Sequence, residues 1–199
     1  MKVLILVDIQ NDFCKGGNLA VPEGESIVQQ VNAMQKDYDL IVATQDFHPK
    51  NHKSFASNNP GKKIGELGEL NGQVQVMWPD HCVQNTFGSE FHPLLNMTNV
   101  RKVFPKGVNP EVDSYSGFFD NDKKSSTGLG EWLKEKGVKE VHVVGLALDY
   151  CVKATALDSA ALGFKTKVFV SATKAVNLNP DDGRNAIEEM KAKGVEICE

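Results

Sequence analysis

Reactive side chains fall where several separate apolar runs end. Asp8 lies within the β-branched run 3–9, where a charge is costly unless it is paired. Asp46 and His48 follow the run 40–44, Lys106 follows 100–104, and Cys151 follows 141–146. An acid, a cation and a thiol form a complete nucleophilic set, because the cation favours thiolate and the acid carries the proton. Lys106, in Phe104-Pro105-Lys106-Gly107, is the natural partner of Asp8. Plainer duties fit the same residues: Asp8 as a structural cap, Lys106 as a solvated loop residue. Cys151 opens a helix, where unpaired N–H groups and a partial positive charge lower a thiol's pKa and can hold an oxyanion. A small buried residue packing a helix start fits that placement equally. Cys14, Cys82 and Cys198 have no comparable setting and are expected to pack.

Asp46-Phe47-His48 sets a carboxylate and an imidazole two residues apart. His52 follows four residues later, and His81 stands in Trp78-Pro79-Asp80-His81-Cys82. Such ligands suit Zn²⁺ or Fe²⁺. An Asp-x-His pair also serves as a loop hydrogen bond, so spacing alone leaves both readings open. His142, inside an apolar run, reads as a core histidine. His92, before Pro93, reads as a helix end.

These residues need a frame to bring them together. The pattern predicts strands at 3–9, 40–44, 100–104, 141–146, 167–170 and 195–198, with weaker strand character at 74–78. It predicts helices at 26–38, 88–95, 130–136, 150–162 and 181–193. Ser126 or Thr127 is a candidate N-cap, and Gly163 and Gly194 are helix stops. Strand and helix in alternation imply a parallel sheet with helices on both faces. Ligands of such sheets bind outside the carboxyl ends of the strands, where the residues above are gathered. The stretch 47–73 is long, polar and irregular, a loop of the kind that carries function.

The 199 residues are one domain's length, and 41% hydrophobic with 24% charged residues is ordinary globular composition. Lys+Arg 22 against Asp+Glu 26 gives a net charge of -4, which argues against a nucleic-acid partner. No apolar run is long enough for a membrane span. The first seven residues are too short an apolar stretch for a secretion signal, so a cytoplasmic setting with free thiols is expected. Gly128-Leu129-Gly130 is not a dinucleotide loop, because Leu133 stands where the third glycine belongs. No Gly-x-Ser-x-Gly elbow is present.

Five segments together resemble the nicotinamidases (pyrazinamidases) of the isochorismatase-like cysteine hydrolase family. They are Leu6-Val7-Asp8-Ile9-Gln10-Asn11-Asp12-Phe13, Thr44-Gln45-Asp46-Phe47-His48-Pro49, and Trp78-Pro79-Asp80-His81-Cys82-Val83. Further on come Lys106-Gly107 with Asp113-Ser114-Tyr115-Ser116-Gly117-Phe118-Phe119, and Gly145-Leu146-Ala147-Leu148-Asp149-Tyr150-Cys151-Val152. The resemblance implies a single domain, 1–199, with a three-layer α/β/α Rossmann-like fold and a central, mostly parallel six-stranded sheet. It places a metal-site loop insertion at about 47–85. Asp8, Lys106 and Cys151 match the family's catalytic triad. Asp46, His48 and His81 match its metal ligands, and His52 falls at a variable ligand position. Phe13 and Trp78 match the aromatic walls of the substrate site, with Tyr115 and Leu146 beside them. A cis peptide at Leu146–Ala147 would aim the Ala147 and Cys151 N–H groups at an oxyanion. The implied activity is metal-dependent hydrolysis of nicotinamide to nicotinate and ammonia, through a thioester, in NAD salvage, with pyrazinamide as a further substrate. One divalent ion is implied, Zn²⁺ first, with Fe²⁺ and Mn²⁺ as alternatives; a homo-oligomer stays open. Leu148 departs from the family pattern, which commonly has a small polar residue there.

Overall fold

The computed structural model describes residues 1–199. Six strands form one sheet in the order β5-β2-β1-β6-β7-β8. They are β1 (Lys2–Val7), β2 (Leu40–Asp46), β5 (Val100–Lys106), β6 (Glu140–Leu146), β7 (Lys165–Lys174) and β8 (Glu196–Cys198), and every pairing is parallel. The continuous apolar runs of β1 and β6 follow from this, since a parallel sheet covered on both faces buries alternate residues on each side. Val3, Ile5 and Val7 face one layer, with α2 (Leu129–Glu135), α3 (Lys153–Ala161) and α4 (Asp182–Ala192). Leu4 and Leu6 face the other, where α1 (Val28–Met34) packs through Val28 and Val31. The molecule is a three-layer α/β/α structure, and no helix is long and apolar enough to cross a membrane.

Two strands approach more closely than side chains permit. A Cβ on Gly145 of β6 would lie 2.1 Å from the Val7 carbonyl oxygen of β1, and Gly145 has φ +121°. Only glycine fits there, and the approach brings the ends of β1 and β6, with Asp8 and Ala147, side by side.

The loop after β2 is more ordered than its composition implies. It holds an antiparallel hairpin, β3 (Leu67–Leu70) and β4 (Gln73–Val76), closed by Asn71-Gly72 with φ of 51° and 74°. Both turn residues are left-handed, as a two-residue hairpin turn requires. β4 faces the opposite way to its hydrophobic pattern. Val74 is 79% exposed, whereas Gln75 is buried.

The expected helix over 88–95 does not form. A single helical turn, Phe87–Ser89, is followed by extended chain in which Phe91 bridges Gln10. Pro93 disfavours helical geometry at His92, so His92 does not end a helix. His142 is a satisfied core histidine, 2.6 Å from both the Tyr38 hydroxyl and Glu140.

Candidate active site

The carboxyl ends of the four adjacent strands β5, β2, β1 and β6 deliver Lys106, Asp46, Asp8 and, one turn further, Cys151. Lys106 is at the centre and is 1% exposed. Its Nζ lies 2.9 Å from Asp8 Oδ2, 2.7 Å from Asp46 Oδ1, 2.8 Å from the Ser114 carbonyl and 3.5 Å from Cys151 Sγ. The other Asp8 oxygen accepts the Thr44 hydroxyl at 2.6 Å. Asp8 Oδ2 has no aligned hydrogen-bond donor, only the ion pair with Lys106.

Burial sets the electrostatics here. It raises the Asp8 carboxyl above the ordinary carboxylate range despite Lys106. It also raises the Cys151 thiol, against the pull of Lys106 and with Asp8 adding to the rise, so the resting sulfur is protonated. Burial would likewise raise Asp46, but Lys106 and His48 outweigh it and hold that carboxyl well below its usual value. Lys106 is disfavoured by burial, yet the negative groups around it hold its pKa well above normal. The ammonium therefore stays charged, and its removal would strand two buried carboxylates.

Asp46, His48 and His81 present ligand atoms within 4.8 Å of one another, all buried. His48 Nδ1 is 2.9 Å from the Gly107 carbonyl, and His81 Nδ1 is 2.8 Å from the Pro79 carbonyl. A carbonyl only accepts, so each Nδ1 carries its proton and Nε2 is the atom that each ring can offer a metal. Both Nε2 atoms face Asp46 Oδ2, at 3.2 and 3.4 Å. A cation among these three atoms would bind both nitrogens and the carboxylate oxygen at once. Charge balance points the same way: buried Asp8, Asp46 and Asp113 outnumber the one buried ammonium, Lys106. The residues thus fit a divalent cation of the nitrogen- and oxygen-binding kind. His52 is grouped differently, with His48 and Asp113. Its Nδ1 accepts the Ser54 N–H at 3.2 Å, its Nε2 has no partner, and burial lowers its pKa to about 4.

Cys151 sits in a wide π-type turn, Leu148–Val152, that leads into α3. The Leu146–Ala147 peptide is cis. Ala147 N–H makes no hydrogen bond within the chain, while its carbonyl accepts from Tyr150 and Val152. Leu148 is buried in the core and does not border the pocket. The pocket beside the sulfur is lined by Phe13, Trp78, His81, Tyr115, Ala147 and Tyr150, among others, and is narrow, with a cavity volume of about 30 Å³. Leu146, expected beside the substrate, is fully buried and does not line the pocket.

A model of the isochorismatase domain matches residues 2–199. The chain belongs to the isochorismatase family. Among family members, it is 48% identical to the nicotinamidase of Escherichia coli over 98% of this chain and 93% of that protein. It superposes with a TM-score of 0.97 on a nicotinamidase/pyrazinamidase from Acinetobacter baumanii, at 43% identity, covering 100% of this chain and 95% of that one. A third member is the pyrazinamidase of Pyrococcus horikoshii in complex with zinc, with TM-score 0.81 and 38% identity over 100% of this chain and 98% of that one.

Several residues of this isochorismatase-family site escape a reading by spacing. Gln10 fixes Asp46 from both sides, donating to its carbonyl and accepting its N–H, each at 2.8 Å. Thr44 donates to Asp8, and Asp113 stands within 4.8 Å of ligand atoms of His48 and His52. Gln10 and Thr44 adjoin the ends of β1 and β2 and stand within the family-like segments, which are their sequence signals.

Proposed function

We propose that this chain is a nicotinamidase, a cysteine amidohydrolase that converts nicotinamide to nicotinate and ammonia through a thioester and also accepts pyrazinamide. The observation that carries the reading is the convergence of one sulfur, one carboxylate and one ammonium beside an aromatic pocket whose floor holds Asp46 and His81. The full-length likeness to named nicotinamidases supports the choice of amide.

Phe13 and Trp78 clasp the pyridine ring, with Tyr115 beside it. Asp46, His48 and His81 would hold one divalent ion, Zn²⁺ in the first instance, and His52 stands behind His48. When bound, that ion supplies a Lewis-acid anchor for a ring nitrogen. Clasped between Phe13 and Trp78, the ring presents its carboxamide carbon to Cys151, and such orientation lowers the barrier by up to about 7–11 kcal/mol.

Asp8 takes the Cys151 proton, and Lys106 stabilises the anionic partners as the charge moves. The sulfur attacks the carboxamide carbon. The resulting oxyanion is received by the N–H groups of Ala147 and Cys151. Asp8 returns the proton to the departing nitrogen, the C–N bond breaks, and ammonia leaves. Water then gives a proton to Asp8 and attacks the thioester. The C–S bond breaks, nicotinate departs, and the sulfur recovers its proton.

The reading treats residues 1–199 as one working unit whose 47–85 insertion bears the metal histidines. It places the reaction in NAD salvage in a reducing cytoplasm, in keeping with four unbridged cysteines. The test is ammonia release from nicotinamide. Wild type should release it, and Cys151→Ala should not while keeping its bound metal. Turnover that survives in Cys151→Ala would remove the nucleophile from the scheme.

A further inference from the structure

We propose that Gln75, on the hairpin, is a positioning residue for this reaction that holds the Tyr115–Trp78 wall of the pocket in place. The inference rests on the nicotinamide reading above.

Gln75 is 4% exposed, yet it belongs to an excursion whose neighbouring Val74 is left 79% in solvent. Burial of apolar surface would have favoured the opposite orientation of the strand, so the inward amide answers to something else. Its Nε2 is 2.8 Å from Asp113 Oδ2 and 2.8 Å from the Val76 carbonyl. Both neighbours only accept, which fixes that atom as nitrogen and rules out a flipped amide. The same Nε2 lies 3.2 Å from the Tyr115 hydroxyl. Trp78 Nε1–H donates to that hydroxyl from another side, at 3.1 Å.

Tyr115 Oη therefore accepts the Trp78 N–H, and the Gln75 amide, whose two hydrogens are directed at Asp113 and the Val76 carbonyl, reaches it by sharing one of them, the longer arm of a three-centre bond anchored by a buried carboxylate. The Tyr115 and Trp78 rings both pack edge-on against Tyr150, at 5.5 and 5.0 Å between centroids. All three rings border the pocket beside Cys151, and Gln75 does not. Its influence on substrate must pass through Tyr115, and the same amide steadies Asp113 behind His48 and His52. Removing it frees the wall that meets the ring and leaves the sulfur, Asp8 and Lys106 as they were.

The experiment measures steady-state nicotinamide hydrolysis and metal content for wild type, Gln75→Leu, Tyr115→Phe and the double variant. Loss of one positioning hydrogen bond should raise KM about tenfold in each single variant. We expect kcat to change less than about threefold and one metal ion per chain to remain. The double variant should be no worse than the poorer single one, because both remove the same link. An unchanged KM in Gln75→Leu overturns the proposal, as does a double variant whose losses multiply. Should Gln75→Leu not fold, Tyr115→Phe decides: an unchanged KM there leaves Gln75 nothing to act through. Failure of wild type to hydrolyse nicotinamide would instead refute the function proposed above, so the two failures are distinct.

Discussion

Replacing Lys106 with methionine keeps the length of the side chain and removes its charge. The ammonium meets Asp8 at 2.9 Å and Asp46 at 2.7 Å with almost no solvent. At an effective dielectric of about 20, each contact is an attraction of roughly 6 kcal/mol. The cost of desolvating the charges offsets much of that, and measured losses for breaking a buried pair are about 3–5 kcal/mol. Two carboxylates are stranded here, so the upper part of that range applies. A loss of about 4 kcal/mol is a large share of the roughly 5–15 kcal/mol that holds a domain together. It should lower Tm by about 10 °C. Urea denaturation of the metal-free protein, with and without Lys106→Met, measures the quantity directly. Adding Asp8→Asn to Lys106→Met should restore part of the loss, because one uncompensated charge disappears with its partner. Hydrolysis should be abolished in both. A loss below about 1 kcal/mol would mean that Lys106 is not the charge partner of the two acids, and the electrostatic account of the site would fail with it.

Two further outcomes follow from single contacts. A Cβ on Gly107 would lie 2.4 Å from His48 Cε1, at φ +63°, so Gly107→Ala should displace that ring and weaken zinc binding at least about tenfold, read by chelator competition; unaltered affinity would mean that His48 is not held by this contact. Burial raises Asp8, so it takes up a proton at a pH where a free aspartate is still ionised. The base is lost as pH falls through that raised value, and the acid limb of kcat/KM should lie above the ordinary value of about 3.9. A limb at or below that value would contradict Asp8 as the proton acceptor.

Much of the frame was legible in the sequence, because strands buried on both faces leave nearly unbroken apolar runs. β1, β2 and β6 stood out for that reason. The pattern marks only 167–170 of β7 (Lys165–Lys174), since its ends, Lys165-Thr166 and Ser171-Ala172-Thr173-Lys174, are mostly polar. The apolar pattern gives no strand at β3, although Asn71-Gly72 is the usual mark of a tight hairpin. The helix over 88–95 failed because Pro93 and pairing with Gln10 outweighed its local pattern. Of the site, the charged and sulfur-bearing members could be picked out by type at strand ends. Gln10, Gln75 and Asp113 could not, because a buried amide or carboxylate declares its purpose only through partners 36 to 38 residues away. The oxyanion amides belong to the backbone and leave no residue type to read.

The hydrolytic groups are mounted on four neighbouring strands of a rigid sheet, whereas Trp78, His81 and the hairpin ride on the long excursion after β2. Bond-breaking power and one wall of the substrate pocket are therefore carried by separable parts of the chain. Remodelling that excursion could redirect the enzyme to new amides while its nucleophile, base and cation were inherited unchanged.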